Sequence, residues 1–278
     1  MAMYLGSKKV AVTNTVEKQV PSMKAFFEAG GKCQGSTATS FEGIIKYDDT
    51  ANVTNMSYMF SSCKNLISIP SLDTSKATSM HYMFSYCAKL TSIPQLDTAK
   101  VTRIENIFYG CKKLTSIPQL NTSNVTTMSS MFYECIELTS IPQLDTSKVT
   151  IMNSMFYECS GLKTIPLLDT SKVEDMTYMF FICQNLVTIP NLDVSNVSSM
   201  GNMFYGCISL EAIHMININA NLNISYSTKF TREALLEIIG NLKAQTSGTK
   251  TLTIGSTNLA KLTDEDKAIA TNKGWTLA

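Results

Sequence analysis

The sequence predicts an α/β repeat solenoid, a stack of short coils closed by a cap at each end, and three observations predict it. Seven cysteines, Cys63, Cys87, Cys111, Cys135, Cys159, Cys183 and Cys207, stand 24 residues apart. The phenylalanines from Phe60 to Phe204 and the prolines from Pro70 to Pro190 keep the same interval. The stretch Val-x-x-Met-x-x-Met-Phe-x-x-Cys-x-x-Leu-x-x-Ile-Pro-x-Leu-Asp-Thr-Ser-x thus recurs head to tail from Val53 to about Ile213; seven copies carry its Met-Phe-x-x-Cys half and six continue through Pro. A unit of this length cannot bury its own apolar side and needs a neighbour above and below, which a stack supplies.

Residues 1–50 read as an N-terminal strand segment and cap. Tyr4, Leu5, Val10, Val12 and Val16 alternate loosely, predicting one or two short strands with a turn at Gly6. Pro21 to Gly31 predicts a short helix, because Pro suits a first helical turn and a glycine pair suits a stop. Asp49-Thr50-Ala51-Asn52-Val53 stands 24 residues before Asp73-Thr74-Ser75-Lys76-Ala77 and reads as a degenerate copy in register.

Residues 51–214 hold the seven 24-residue repeats. In one copy Val53, Met56, Met59, Phe60, Cys63, Leu66, Ile69 and Leu72 fall mostly three apart. That spacing fits neither a sustained helix nor a half-exposed strand. It predicts a flattened coil, with a short strand around Leu66 to Leu72 and a turn-rich return from Asp73 to Cys87. In the third copy Ile104 and Ile107 replace Met, and Asn121 replaces Asp, so these positions demand shape and polarity more than identity. His214 stands where a seventh proline would fall and marks the expected end of regular stacking.

Residues 215–278 read as a C-terminal α/β cap. Asn217 to Ile224 is a strand or turn-rich run. Thr231 suits an N-cap, and Leu235, Ile238, Ile239 and Leu242 form one helical stripe. Thr251 to Ile254 predicts a strand. Thr263-Asp264-Glu265-Asp266 opens a second helix with acids at its positive end, and Gly274 closes it before Trp275-Thr276-Leu277.

The balance of 23 basic against 22 acidic residues leaves a formal charge of +1 and no basic run, which argues against nucleic acid or anionic lipid as partner. No apolar stretch approaches the roughly 20 residues of a membrane span, so no membrane insertion is expected. The N-terminal residues lack the apolar core of a secretory signal peptide. The cysteine ladder reads as buried free thiols acting as small hydrophobes. A straight row of equivalent thiols does not converge on a tetrahedral metal ion, and no metal or cofactor is expected.

At Met-x-x-Met-Phe-x-x-Cys-x-x-Leu-x-x-Ile-Pro, from Val53 to Ile213, the sequence resembles the BspA-like leucine-rich repeat family of bacterial surface proteins. The resemblance implies a leucine-rich-repeat-type right-handed coil with strands on its concave side, and a non-enzymatic binding or adhesion protein. The closing segment TLTIGSTNLAKLTDEDKAIATNKGWTLA is similar to the terminus of BspA-like proteins of phage and prophage regions, and the opening YLGSKKV to some phage tail-associated proteins. Those two likenesses imply a tail-associated recognition protein of a phage or prophage particle. Its partner would be a host-surface glycan or protein, with further contacts to other particle proteins through the N-terminal segment. A bacterial cell-surface adhesin is the alternative, and a structural spacer or decoration protein the third reading.

Catalysis finds little material. His81 and His214 stand far apart in the stack, and no glycine-rich phosphate loop or His-Glu-x-x-His is present, so no catalytic residue is expected. The Asp-Thr-Ser ladder (Asp73, Asp97, Asp145, Asp169 and Asp193) reads as Asx or ST turns rather than calcium ligands, with Lys76, Lys100, Lys148 and Lys172 offsetting its charge. Two ladders have no core duty. One is aromatic, Tyr109, Tyr133, Tyr157, Phe181 and Tyr205, each following a core Phe; its rings can stack on sugars or enter a partner's grooves. The other is polar and uncharged beside Ile-Pro: Gln95, Gln119 and Gln143, with Ser92, Ser116, Ser140, Thr164 and Asn191.

Overall fold

A computed structural model describes residues 2–5, 8–11 and 22–278. The chain is a repeat solenoid with little regular secondary structure, and backbone bonds between coils replace it. Parallel bridges join Asn55 to Ser79 to Arg103, and Thr127 to Ile151 to Asp175 to Ser199, each partner 24 residues from the last. Around each bridge alternate amides donate to the next coil: Met56 N to Ser79 O at 2.9 Å, Phe60 N to Met83 O at 2.9 Å and Ser62 N to Ser85 O at 2.7 Å. The other amides close turns inside the coil, Met59 N to Met56 O and Cys63 N to Phe60 O. Tyr58 and Ser62, the third residues of these turns, have φ of 61°, the left-handed value a type II turn requires there. The pattern recurs with left-handed residues at 82 and 86, 106 and 110, and on to 202 and 206.

The inward side chains form one column per position. Met56, Phe60, Cys63 and Leu66 have no exposed surface, and neither do their counterparts through the middle coils. The core phenylalanines stack face to face, Phe108 on Phe132 at 5.7 Å and Phe132 on Phe156 at 5.6 Å. All eight cysteines are free and buried. Each ladder thiol donates to a backbone carbonyl of the preceding coil, as Cys87 does to Phe60 O at 3.1 Å. That oxygen already accepts from Cys63 N, so the thiol uses its second lone pair. This places a donor where an aliphatic side chain has none.

The strand expected around Leu66 to Leu72 is absent, and residues 66–72 have no regular structure. Proline explains it. Thr91 N reaches Ile67 O at 3.3 Å, but Pro94 three residues on has no N–H to continue the ladder. Only the last two coils form strands here: β3 (Thr188–Asp193), irregular between Ile189 and Leu192 around Pro190, and β4 (Ala212–Ile216), paired in parallel. His214 lies inside β4. The loss of proline therefore does not end the pairing expected to stop there, and Ile218 goes on to bridge Leu242.

At the N-terminal end β1 (Ala2–Leu5) and β2 (Lys8–Ala11) pair antiparallel. Gly6, Val12, Val16 and Pro21 lie outside the described residues. The expected helix is α1 (Met23–Glu28), capped by the Ser22 hydroxyl and closed by left-handed Gly30. The degenerate copy sits in register: Thr50 Oγ1 donates to Asp73 O at 2.8 Å as Thr74 Oγ1 does to Asp97 O at 2.9 Å.

Beyond β4 come β5 (Leu222–Asn223), α2 (Arg232–Gly240), β6 (Lys250–Thr253), α3 (Gly255–Leu259), α4 (Asp264–Asn272) and β7 (Trp275–Leu277). The three strands form one parallel sheet in the order β5-β6-β7. Thr231 and Thr263 cap α2 and α4 as their spacing predicts, while the short α3 was not expected. Arg232 clamps Asp266 with two bonds of 2.7 Å and ties the two helices together.

Candidate binding surface

The aromatic ladder is one continuous stack. Tyr109 lies on Tyr133 at 4.3 Å, Tyr133 on Tyr157 at 4.2 Å, Tyr157 on Phe181 at 4.6 Å and Phe181 on Tyr205 at 4.8 Å, all within 12° of parallel. Its cause is local. Each ring follows a buried Phe and precedes a left-handed residue, so it leaves the coil at the same angle every time. The expectation that the ring faces stack on sugars is therefore corrected: the faces of Tyr109, Tyr133 and Tyr157 are occupied by each other, and the half-buried row presents rims and hydroxyls. Burial, and after it the phenol of Tyr86, pushes the Tyr109 hydroxyl up to about 12; burial and Tyr157 push Tyr133 higher still. Both stay neutral at physiological pH.

Three members of the row were not visible in the ladder. Tyr86 meets Tyr109 edge-on at 5.1 Å, Tyr178 meets Phe181 at 5.5 Å and Tyr226 of the cap meets Tyr205 at 4.2 Å. Tyr86 and Tyr178 belong to the two left-handed columns, and Tyr226 stands outside the repeat, so the period alone does not align them. Charged pairs flank the row, Lys112 with Glu134 at 2.9 Å and Lys113 with Glu137.

The glutamine ladder has a different use. Gln95 Nε2 donates to Gln119 O at 2.7 Å, Gln119 Nε2 to Gln143 O at 2.6 Å and Gln143 Nε2 to Leu167 O at 2.6 Å. Each amide also donates to the carbonyl of the leucine after it. These three side chains are exposed, but their donors are spent on bonds between coils that Pro94 and its equivalents cannot make. Only the Oε1 atoms remain to meet a ligand.

The Asp ladder forms Asx turns. Asp145 Oδ1 accepts from Ser147 N at 3.0 Å and Ser147 Oγ at 2.7 Å, and Asp73 and Asp169 do the same. Lys76, Lys148 and Lys172 offset the charge of Asp73, Asp145 and Asp169 from nearby, while the ammoniums of Lys76 and Lys148 bond Asn52 and Asn124 on the preceding coils.

One polar cluster escaped sequence reading. Ser57 Oγ lies 2.7 Å and Ser79 Oγ 2.9 Å from His81 Nδ1, beside the Arg103–Glu105 pair. Its signal was the period, since residues 57, 81 and 105 share one column. Burial, and then Arg103, holds His81 below its ordinary value, so the ring is neutral. Ser57 is only 3% exposed, which bars it from attacking a macromolecular substrate. Among the described residues no three His, Cys, Asp or Glu side chains are grouped to hold a metal ion, and no helix is long and apolar enough to cross a membrane.

A family model described as "Mycoplasma protein of unknown function, DUF285" matches residues 7–115, 87–187 and 135–233. No curated protein matches the sequence significantly. Among solved structures, a Treponema pallidum (T. pallidum) leucine-rich repeat protein is 19% identical, with a TM-score of 0.46 over 67% of this chain and 84% of its own. A leucine-rich cell surface protein of Faecalibacterium prausnitzii is 22% identical, with a TM-score of 0.35 over 73% of this chain and 65% of its own. A leucine-rich repeat protein of Bacteroides ovatus is 15% identical, with a TM-score of 0.24 over 87% and 88%.

Proposed function

We propose, from the premise that this chain belongs to the DUF285 family, that it is a non-enzymatic recognition protein whose tyrosine edge attaches to a host-surface glycan or protein. The observation that carries this reading is the stack of Tyr109, Tyr133, Tyr157, Phe181 and Tyr205. A row of rigid, pre-stacked rings loses little conformational entropy on binding, and Tyr109, Tyr133 and Tyr157 repeat one contact on three successive coils. Affinity then accumulates by repetition rather than at one pocket. In this reading the 24-residue unit is one turn of a right-handed leucine-rich-repeat-type coil, residues 51–214 form the recognition stack, and residues 1–50 and 215–278 cap it.

The carrier we favour is a phage or prophage particle, on the likeness of the two terminal segments to phage-region proteins; the bacterial cell surface is the second reading, on the likeness of the repeats to surface proteins. The test is attachment of fluorescently labelled protein to whole bacterial cells. The triple variant Tyr109→Phe, Tyr133→Phe, Tyr157→Phe keeps the stack and removes hydroxyls, and attachment should weaken about tenfold or more. Attachment equal to that of the unaltered protein would remove the tyrosine edge from consideration.

A further inference from the structure

We propose a second binding site, for an oligosaccharide, in the groove between the last coil and the C-terminal cap. None of the residues lining it belongs to the tyrosine row. The groove measures about 810 Å³ and is lined by Ser195–Gly201, Asn219–Asn221, Thr249 and Lys250. That size lies within the roughly 300–1,000 Å³ of small-molecule sites. It continues past Gly201 and Asn221 into a second depression walled by Asn202, Asn223 and Thr253, so an elongated ligand fits it better than a single ring.

Gly201 opens the floor. Its column runs Ser57, His81, Glu105, Ser129, Asn153, Thr177 and Gly201, and every earlier coil carries a side chain there. The backbone does not demand glycine, since Gly201 is not left-handed and a Cβ would meet its nearest atom, Thr177 Cγ2, at an ordinary 3.6 Å. What the missing side chain does is leave room.

The walls carry amide groups whose orientation is settled and whose hydrogen-bonding capacity is half unspent. Asn219 Oδ1 accepts from the Lys250 ammonium at 2.7 Å, and Asn221 Oδ1 from Thr251 N at 2.9 Å. Neither partner can accept in return, so each Asn turns its Nδ2 the other way, and those donors have no partner among the described residues. Asn196 is the reverse: its Nδ2 donates to Ser171 O at 2.6 Å, leaving Oδ1 as an acceptor. Fixed amide donors and acceptors, with the Ser198 hydroxyl oxygen left to accept because its proton goes to Glu174 O at 3.1 Å, fit vicinal hydroxyls, which donate and accept at once. The one cation, Lys250, spends one of its three donors on Asn219 and keeps its charge, so the groove does not select against an acidic sugar.

The experiment is calorimetric titration of the full chain with neutral tetrasaccharides of glucose, mannose and N-acetylglucosamine, and with an acidic oligogalacturonate. At least one of these sugars should bind saturably. Gly201→Gln, which fills the floor, should weaken that binding about tenfold or more at unchanged melting temperature; Asn196→Ala serves as the second variant if the first fails to fold. Gly201→Ser should fold normally. The triple tyrosine-to-phenylalanine variant should bind the sugar as the unaltered protein does, which separates this site from the tyrosine edge. No saturable heat with any of these sugars at millimolar concentration, or binding insensitive to whichever of the two groove variants folds, would overturn the proposal.

Discussion

The thiol of Cys135 donates to the carbonyl oxygen of Phe108 across 3.2 Å, from one coil to the coil before it. Phe108 O also accepts from Cys111 N at 3.0 Å, so removing the thiol does not orphan the carbonyl. Cys135→Ala should therefore cost about 1–2 kcal/mol, one modest hydrogen bond plus a small cavity, measured by chemical denaturation. Burial also pushes the thiols of Cys111, Cys135, Cys159 and Cys183 well up, which keeps them protonated and poor nucleophiles. These four should resist a thiol reagent in the folded protein and react together on unfolding. Rapid labelling of any of them at full native signal would show that the column is open.

Ile182 is a strained member of its column. Its φ is 56°, and a β-branched residue in the left-handed region costs roughly 1–2 kcal/mol. Its counterparts are Ser62, Tyr86, Gly110, Glu134, Glu158 and Gly206, none of them β-branched, and a Cβ on Gly206 would lie 3.0 Å from Ile182 Cγ1. Ile182→Asn should raise stability by about 1 kcal/mol. Gly206→Ala should destabilise, and less so when Ile182 is already Asn, with a coupling of about 0.5 kcal/mol or more in a double-mutant cycle. Strict additivity would show that the two side chains do not meet.

Much of this stack was legible because its core is a set of columns. Cys, Phe and Leu recur where nothing else fills the interior, and Thr231 and Thr263 announce their helices by chemistry local to the sequence. What stayed hidden depends on distances between coils. No pattern in the sequence shows that Gln119 turns its amide to a neighbouring backbone, because that follows from the ladder bond Pro118 cannot make. Ser57 and His81 were readable as neighbours only by counting one period. Tyr226 joins the row from outside the repeat, where the period has no hold. The strand expected at Leu66 to Leu72 failed for one reason: apolar spacing reports burial, and Ile69 is buried ahead of a proline that breaks the ladder.

The glutamine rungs give the third prediction. Gln119 Nε2 serves both Gln143 O at 2.6 Å and Leu120 O at 3.2 Å. Gln119→Leu mimics the next coil but one, where Leu167 occupies this position, and should cost only about 0.5–1.5 kcal/mol. Gln119→Glu should cost more at neutral pH, since a carboxylate would face two carbonyl oxygens. Its folded pKa would then be raised, so the loss should shrink below the unfolded glutamate value and grow as pH rises through the folded one. A Glu variant as stable as the parent across this range would show that the amide is not used as a rung.

Acid stability should report the Asx turns. The Ser75, Ser147 and Ser171 hydroxyls, and then the backbone amides of the same serines, hold Asp73, Asp145 and Asp169 below the ordinary carboxylate value. A depressed folded pKa gives a contribution fully present above the unfolded value of about 3.9 and lost as pH falls through the folded one. Asn121 shows that an amide keeps both bonds, from Ser123 N at 3.1 Å and Ser123 Oγ at 2.7 Å. The triple Asp→Asn variant at 73, 145 and 169 should accordingly flatten the fall in melting temperature below about pH 4. An unchanged acid limb would place the proton uptake elsewhere.

The tyrosine row makes the opposite prediction at the alkaline end. Tyr109 is pushed up to about 12, by burial first and by the Tyr86 hydroxyl second, and Tyr133 is raised beyond it. A raised folded pKa gives stability fully present below the unfolded phenol value of about 10 and lost as pH rises through the folded one. Ultraviolet titration should show part of the eleven tyrosines ionising late, together with loss of the fold, and Tyr133→Phe should remove one late phenol. All phenols titrating in a single step near pH 10, with the fold intact, would mean that the row is fully hydrated rather than stacked. The same neutrality bears on attachment. The Tyr109 and Tyr133 hydroxyls stay protonated from about pH 5 to pH 9, so binding through them should be flat over that range, and attachment that followed a titration there would count against the row as the binding surface.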